Sequence, residues 1–434
     1  MNATPLEHGG ELDAIADRFR VPRDRWLDLS TGINPNPYPL PELAREYWHR
    51  LPDAALDAWL REAAANYYGC PDPAYIVPGP GSQAIIQWLP RLLPTVRVAV
   101  ISPTYGEHAA CWRAAGHRVT EVGGLDEVPA DAGVVILGNP NNPDGRTFDR
   151  DRLLGIGDER LLVVDEAFAD IAPDLSLAAH VGQPNLVVLR SFGKFFGLAG
   201  MRLGFALLGE PLATRLRQAL GPWTVSGPAA AVGAVALADE LWVRAARVRL
   251  TSAAGRLDGL LLRNGLQVAG GTSLFRLVEH SRAENLFEQL ASAAILVRRF
   301  SAHPGWLRFG VPADDSAFER LGETLAAWRP QPAAQGVLLP PPRVLASTPG
   351  YPAVVPPETS RSKVDRCRYA PVRIGIPCLD YGLSKRRGMC FISIILPTAT
   401  RPTDPEHPDA VALSEERDRS RAVGHETDRR WRNR

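Results

Sequence analysis

The chain has 434 residues, 45% of them hydrophobic and 22% charged, with a formal net charge of +1. That length suggests two or three domains with ample material for a core, and the balance excludes a disordered, fibrous or disulfide-dependent small protein. No apolar run approaches the roughly 20 residues of a membrane span, so no membrane partner is expected. The opening MNATPLEHGGELDAIADRFR has no basic stretch leading into an apolar one, so a cytoplasmic location is expected. Cys70, Cys111, Cys367, Cys378 and Cys390 form no C-x-x-C pair and no metal-like spacing, so free thiols are expected and no metal site is.

In chain order, AYIVPGPGSQAIIQWLPRLL reads as a glycine-rich turn entering an amphipathic helix, which presents free backbone N–H groups to a phosphate. GVVILGNPNNPDGR then places Asn139 to Asn142 just after an apolar strand, and RLLVVDEAFADI places Asp165 just after another. NLVVLRSFGKFFGLAGMRLGFALLG gives a β-branched strand from Asn185 to Leu189, a turn carrying Lys194, and a second strand ending near Leu208. Three strands therefore deliver polar residues at their C-terminal ends, where open α/β sheets bind ligands. A long alanine-rich helical stretch, Pro228 to Leu262, follows. Beyond it, the strands GLQVAGGTSLFRLV and GWLRFGV flank the helix ENLFEQLASAA, and a closing helix starts near Asp314 or Asp315.

The chain changes character at Pro330. Residues 1–330 carry 32 Lys+Arg against 37 Asp+Glu, whereas 331–434 carry 17 against 11 and hold 14 prolines. This Pro/Arg-rich tail lacks sustained periodicity and is expected to be largely disordered, its one strand-like run being MCFISIILPTAT. Neither aromatic interleaving nor a DNA-binding motif accompanies its charge, so no nucleic-acid partner is expected.

Lysine is the most informative residue type. The chain has three, and only Lys194 falls within residues 1–330, against 31 arginines there. A primary amine can lose its proton and form a Schiff base with an aldehyde, whereas a guanidinium stays protonated. The site that needs this chemistry keeps its lysine.

With Gly-Ser-Gln, Asn, Asp and Ser-x-x-Lys in this order, the chain from about His8 to Arg329 resembles the fold-type I, pyridoxal-phosphate-dependent enzymes of the aspartate aminotransferase superfamily. The resemblance implies roles residue by residue. Lys194 would bind the cofactor aldehyde and could return a proton to Cα, and Asp165 would pair with the pyridine nitrogen. Asn142 would bond the ring 3-hydroxyl and Tyr105 would stack on the ring. Gly81, Ser82 and Gln83, with Ser191 and Arg202, would cup the cofactor phosphate. Arg308 would grip the substrate α-carboxylate, the backbone at Gly32, Ile33 and Asn34 would close over it, and His8 is a candidate for orienting a substrate phosphate.

The resemblance also implies an α/β architecture: an N-terminal arm (1–36) packing with the small domain, a large domain with a mostly parallel sheet (37–227), and a linking helix with a small α+β domain (228–330), the whole acting as a homodimer. Two positions depart from the common pattern. Phe168 stands where many relatives have a tyrosine that also bonds the ring hydroxyl, and Leu51 stands where many have a tyrosine reaching the neighbouring subunit's cofactor phosphate. The opening HGGELDAIADRF with WLDLSTGINPNPYPLP, DEAF and SFGKFFGLAGMRLGFAL is similar to the L-threonine-O-3-phosphate decarboxylases of cobalamin biosynthesis. Those enzymes release carbon dioxide from a small phosphorylated amino acid to give (R)-1-amino-2-propanol O-2-phosphate. The alternatives are an aminotransferase of the histidinol-phosphate type and a non-catalytic relative that senses a ligand.

Overall fold

The computed structural model describes residues 9–328 together with two short strands in the tail. In chain order the strands of the main body are β1 (Leu27–Leu29), β2 (Ile76–Gly79), β3 (Arg97–Ile101), β4 (Arg118–Val122), β5 (Val134–Gly138), β6 (Leu161–Asp165), β7 (Leu186–Ser191), β8 (Gly204–Leu208), β9 (Val268–Thr272), β10 (Phe275–Glu279), β11 (Ile295–Arg299) and β12 (Trp306–Gly310). Seven of them form one sheet in the order β2-β8-β7-β6-β5-β3-β4, and β1-β11-β12-β10-β9 form a second. In the larger sheet β8 runs antiparallel to both β2 and β7, and every other neighbouring pair is parallel.

The central strands are buried because helices cover both faces of the sheet: all five residues of the parallel β5 and all five of the antiparallel β8 are out of water, whereas the edge strand β4 stays polar and partly exposed. On one face, helix Ala54–Tyr68 buries Leu56, Leu60, Ala63 and Ala64, and it packs beside helix Gly227–Ala238, whose small side chains permit close approach. The expected stretch Pro228 to Leu262 is two helices rather than one. The break falls at Asp239, which leaves helical geometry (ψ 77°) and caps the second helix, Glu240–Arg263, by accepting from the Trp242 N–H at 3.0 Å. Asp314 rather than Asp315 is the cap of the closing helix, accepting from Ala317 N–H at 2.9 Å.

The second sheet takes its edge strand from the N-terminal arm, since β1 pairs in parallel with β11, Leu27 opposite Ile295. Two backbone ties place the arm over the lysine turn: Asn34 N–H donates to Lys194 O at 2.9 Å and Tyr38 N–H to Phe196 O at 2.8 Å.

In the tail, Val372–Ile376 and Cys390–Ile394 pair as antiparallel strands. The strand-like run read in MCFISIILPTAT therefore yields a strand, which leaves the expectation of a largely disordered tail as it stands. The rest of that expectation lies outside the described residues.

Behind the larger sheet sits a buried ionic cluster. Arg190 donates to Glu166 at 2.7 Å and to Asp170 at 3.0 Å, with all three side chains almost wholly out of water, and its guanidinium lies 4.3 Å from the Tyr68 ring centroid. Glu166 also accepts from Ser176 Oγ at 2.6 Å and Leu177 N–H at 2.7 Å. Removing one member of such a cluster strands buried charge, whereas exchanging a pair for apolar groups of similar volume is far less costly. Glu166→Ala should therefore lower the unfolding free energy by about 3–5 kcal/mol in denaturant titration, and replacing all three charged members together, Glu166→Leu with Arg190→Met and Asp170→Leu so that no buried charge is left behind, should recover part of that loss. Equal losses in both variants would contradict this account of the cluster.

Candidate active site

The C-terminal ends of β5, β6 and β7 open into a cavity of about 780 Å³. Its lining brings together Gly81, Ser82, Gln83, Tyr105, Asn142, Asp165, Ser191, Lys194, Arg202, Arg308 and Gly32 of the sequence-derived candidates. Ile33 and Asn34 do not line the cavity; the Asn34 N–H goes to Lys194 O, and its Nδ2 donates to Phe195 O at 2.8 Å. Asn34 thus ties the arm to the lysine turn. His8 lies outside the described residues.

Lys194 sits in a single helical turn, Phe192–Phe195, directly after β7, with Phe192, Phe195 and Phe196 buried around it. Burial pushes its ammonium down to about 8, Arg308 and Arg202 adding to the effect while Asp165 opposes it. Its Nζ lies 6.0 Å from the centroid of Phe168.

Asp165 ends β6 with both oxygens engaged. Oδ1 accepts from Ala167 N–H at 3.0 Å, and Oδ2 lies 2.9 Å from Nε2 of buried His108. His108 was missed in the sequence reading. Its signal was the short spacing in S-P-T-Y-G-E-H, which puts it near the start of helix Glu107–Ala114, one turn from Tyr105.

Across the cavity mouth, Gly81 (φ 83°) precedes helix Ser82–Trp88, and Arg202, itself in the left-handed region (φ 55°), aims its guanidinium at that turn. A Cβ at Gly81 would collide with the Arg202 guanidinium, and one at Gly204 would collide with Ser82 N. Both glycines are needed to bring backbone N–H groups and a fixed cation to one point, a donor set suited to a phosphate.

Arg308 lies on β12 and is only 6% exposed. Nη1 donates to Asn142 Oδ1, Nη2 donates to Ser30 O at 2.9 Å, and Nε has no partner. The Phe275 ring lies 5.0 Å from its Cζ. Among the described residues it makes no ion pair. Burial, then the neighbouring Arg298, pulls it down to about 9, so it remains a cation at neutral pH. Because the Asn142 oxygen accepts from Arg308, the Asn142 NH₂ group is left to donate elsewhere. Arg298 stands opposite Arg308 in the β11–β12 register and also lines the cavity, as do Ser301 and His303 on the following loop. His303 is held flat on Trp306, ring centroids 4.1 Å apart.

The donor set fits pyridoxal phosphate: an amine with a lowered pKa, a fixed carboxylate for a ring nitrogen, and a glycine-lined anion cup. Phe168 offers no hydroxyl; its ring packs edge-on to Phe275 at 5.1 Å and against the bare face of Gly32. Leu51 is largely exposed and does not line the cavity.

A family model described as aminotransferase class I and II matches residues 26–324. A threonine-phosphate decarboxylase of a Sinorhizobium species is 46% identical over 331 residues, covering 75% of this chain and 98% of the relative. A second threonine-phosphate decarboxylase, from Pseudomonas aeruginosa, is 47% identical over 332 residues with coverage of 75% and 98%. Among solved structures, histidinol-phosphate aminotransferase from Sinorhizobium meliloti in complex with pyridoxal-5'-phosphate superposes with a TM-score of 0.62 at 22% identity, covering 75% of this chain and 98% of that one. At that identity the likeness speaks for the fold.

The electrostatics of Lys194 give a pH signature. Only the neutral amine attacks an aldehyde, so the rate at which cofactor-free protein takes up pyridoxal phosphate should rise with pH through about 8 and level off above it. Arg308→Leu should move this inflection up by removing a nearby cation, and Asp165→Asn should move it down by removing the carboxylate that favours the ammonium. Stopped-flow absorbance in the visible reads it, and a rate flat from pH 6 to 10 would contradict it.

Proposed function

The chain belongs to the aminotransferase class I and II family, and from that premise we propose that it uses pyridoxal phosphate to decarboxylate threonine O-3-phosphate. The observation that carries this reading is Arg308, a buried guanidinium with no carboxylate partner among the described residues, facing Lys194 across a cavity that a second guanidinium, Arg298, also lines. An unpaired cation held away from water is costly, so the site favours a substrate that brings an anion to it. Two cations on adjacent strands suit a small molecule with two anionic ends. The names of the two relatives at 46% and 47% identity point to the same substrate.

When bound, pyridoxal phosphate supplies an electron sink for the bond broken at the substrate Cα. The chain's residues decide which bond that is. Arg308 takes the α-carboxylate in its fork, Phe275 screens that contact from water, and Arg298 with Ser301 and His303 receives the substrate phosphate. Held at both ends, the substrate would present to the cofactor the bond at Cα that these two anchors select. Asp165, steadied by His108, would pair with the ring nitrogen and favour its protonated form. Lys194 returns a proton to Cα after carbon dioxide leaves, a task suited to an amine whose pKa lies near neutrality.

We place the arm at 1–36, the large domain at 37–227 and the small domain at 228–330, a division consistent with β1 from the arm completing the second sheet. A homodimer goes with this reading, supported by Leu40, Trp48 and Leu51, which expose large apolar side chains within twelve residues of one another.

Cofactor-loaded protein should release carbon dioxide from threonine O-3-phosphate and should form no glutamate from histidinol phosphate plus 2-oxoglutarate; the reverse result would make it an aminotransferase. Lys194→Ala should lose the visible band and its borohydride-trapped link. Arg298→Leu should raise KM for threonine O-3-phosphate by about 10-fold or more, the scale of a lost charge-assisted hydrogen bond, with little change in cofactor retention. Truncation after Pro330 should leave activity intact, because the matched relatives are covered almost fully by three quarters of this chain.

A further inference from the structure

Two residues that line the cavity, Tyr105 and Gln83, belong to a hydrogen-bonded chain that the mechanism above does not use. Tyr105 Oη lies 3.0 Å from Gln83 Oε1, and Gln83 Nε2 lies 2.9 Å from Glu107 Oε2. The polarity of this chain follows from the donor inventory. A carboxylate offers only acceptors, so Glu107 meets the NH₂ end of the Gln83 amide, which leaves the amide oxygen toward Tyr105 and requires the phenol to donate. Helix Glu107–Ala114 also carries His108, whose ring stands edge-on to Tyr105 at 5.9 Å and an interplanar angle of 87° while its Nε2 holds Asp165. Consecutive residues at the start of one helix thus reach the aromatic ring at the cavity wall and the carboxylate at the end of β6.

We propose that Glu107 is a positioning residue that, through Gln83, fixes the hydroxyl of Tyr105 and so sets the ring as a rigid platform against the cofactor. This deepens the cofactor reading and rests on it for what the platform supports. The consequence for the chemistry is a division of labour. With its proton committed to Gln83, Tyr105 does not serve as an acid at Cα, which leaves that transfer to Lys194.

A double-mutant cycle distinguishes this role from general packing. In cofactor-loaded protein, Glu107→Gln and Glu107→Ala should weaken cofactor retention several-fold and reduce the visible circular dichroism of the bound cofactor, Glu107→Ala more strongly. In a Tyr105→Phe background, where the hydroxyl is gone, the same Glu107 substitutions should change retention and dichroism distinctly less than in the wild type, what remains passing through Gln83 at the phosphate cup. Equal effects in both backgrounds, or none in either, would overturn the proposal. Cofactor-free protein gives a second readout: the Tyr105 hydroxyl proton should appear by NMR as a slowly exchanging resonance in the wild type and vanish in Glu107→Ala. A wild type that takes up no cofactor would refute the functional reading alone, and the hydroxyl resonance would then decide the Glu107 assignment.

Discussion

The cost of holding a guanidinium away from water organises the ligand side of this cavity. Arg308 is nearly buried, lies across the Phe275 ring, and satisfies two of its three nitrogens with uncharged oxygens from Asn142 and Ser30. Neutral acceptors position a cation without neutralising it, so the charge remains available to an incoming carboxylate. The same contacts bind distant parts of the chain together. Ser30 belongs to the N-terminal arm, Asn142 to the loop after β5, and Arg308 to β12, so one side chain joins the arm and both sheets where the substrate must sit.

A second tie between those parts is made of backbone alone. Gly145 and Gly270 meet the opposing segment so closely that a Cβ on either would strike its main chain, Gly271 O for Gly145 and Asp144 O for Gly270. The N-N-P-D-G loop is therefore seated on β9, which pairs with β10, which pairs with the strand carrying Arg308. Asn142 and Arg308 are held in register twice, by a side-chain hydrogen bond and by this glycine seat. Precision at the cofactor end and at the carboxylate end is thereby one structural property.

The parts of this arrangement that were legible in the sequence are those written in local pattern. Apolar runs ending in Asn142, Asp165 and Ser191–Lys194 announce strands and the sheet edge where ligands bind, and the glycine-rich turn at Gly81 announces an anion cup. What was not legible depends on long-range partners. Nothing in the local pattern of D-L-S-T-G-I-N-P announces that the Asn34 N–H and Nδ2 are spent on the lysine turn, 160 positions away. His108 looks like an ordinary helical residue, and only the fold sets it against Asp165, 57 positions away. The single helix expected over 228–262 was a failure of a different kind: alanine-rich composition hides a break whose signal is the capping potential of Asp239, visible only once the chain is known to turn there.

The choice between the two basic residue types follows from a single force acting on different starting points. Burial depresses both Lys194 and Arg308, yet it brings the amine to about 8 and the guanidinium only to about 9 from a much higher origin. A lysine in the place of Arg308 would risk losing the positive charge there, and an arginine in the place of Lys194 could neither attack an aldehyde nor shuttle a proton near neutral pH. Each cation also depends on the other, since Arg308 helps to push Lys194 toward its neutral form. An anion docking on Arg308 offsets that push and favours the protonated amine. On the proposed reading, the contact that would receive the substrate thereby readies Lys194 to return a proton once the carboxylate has gone.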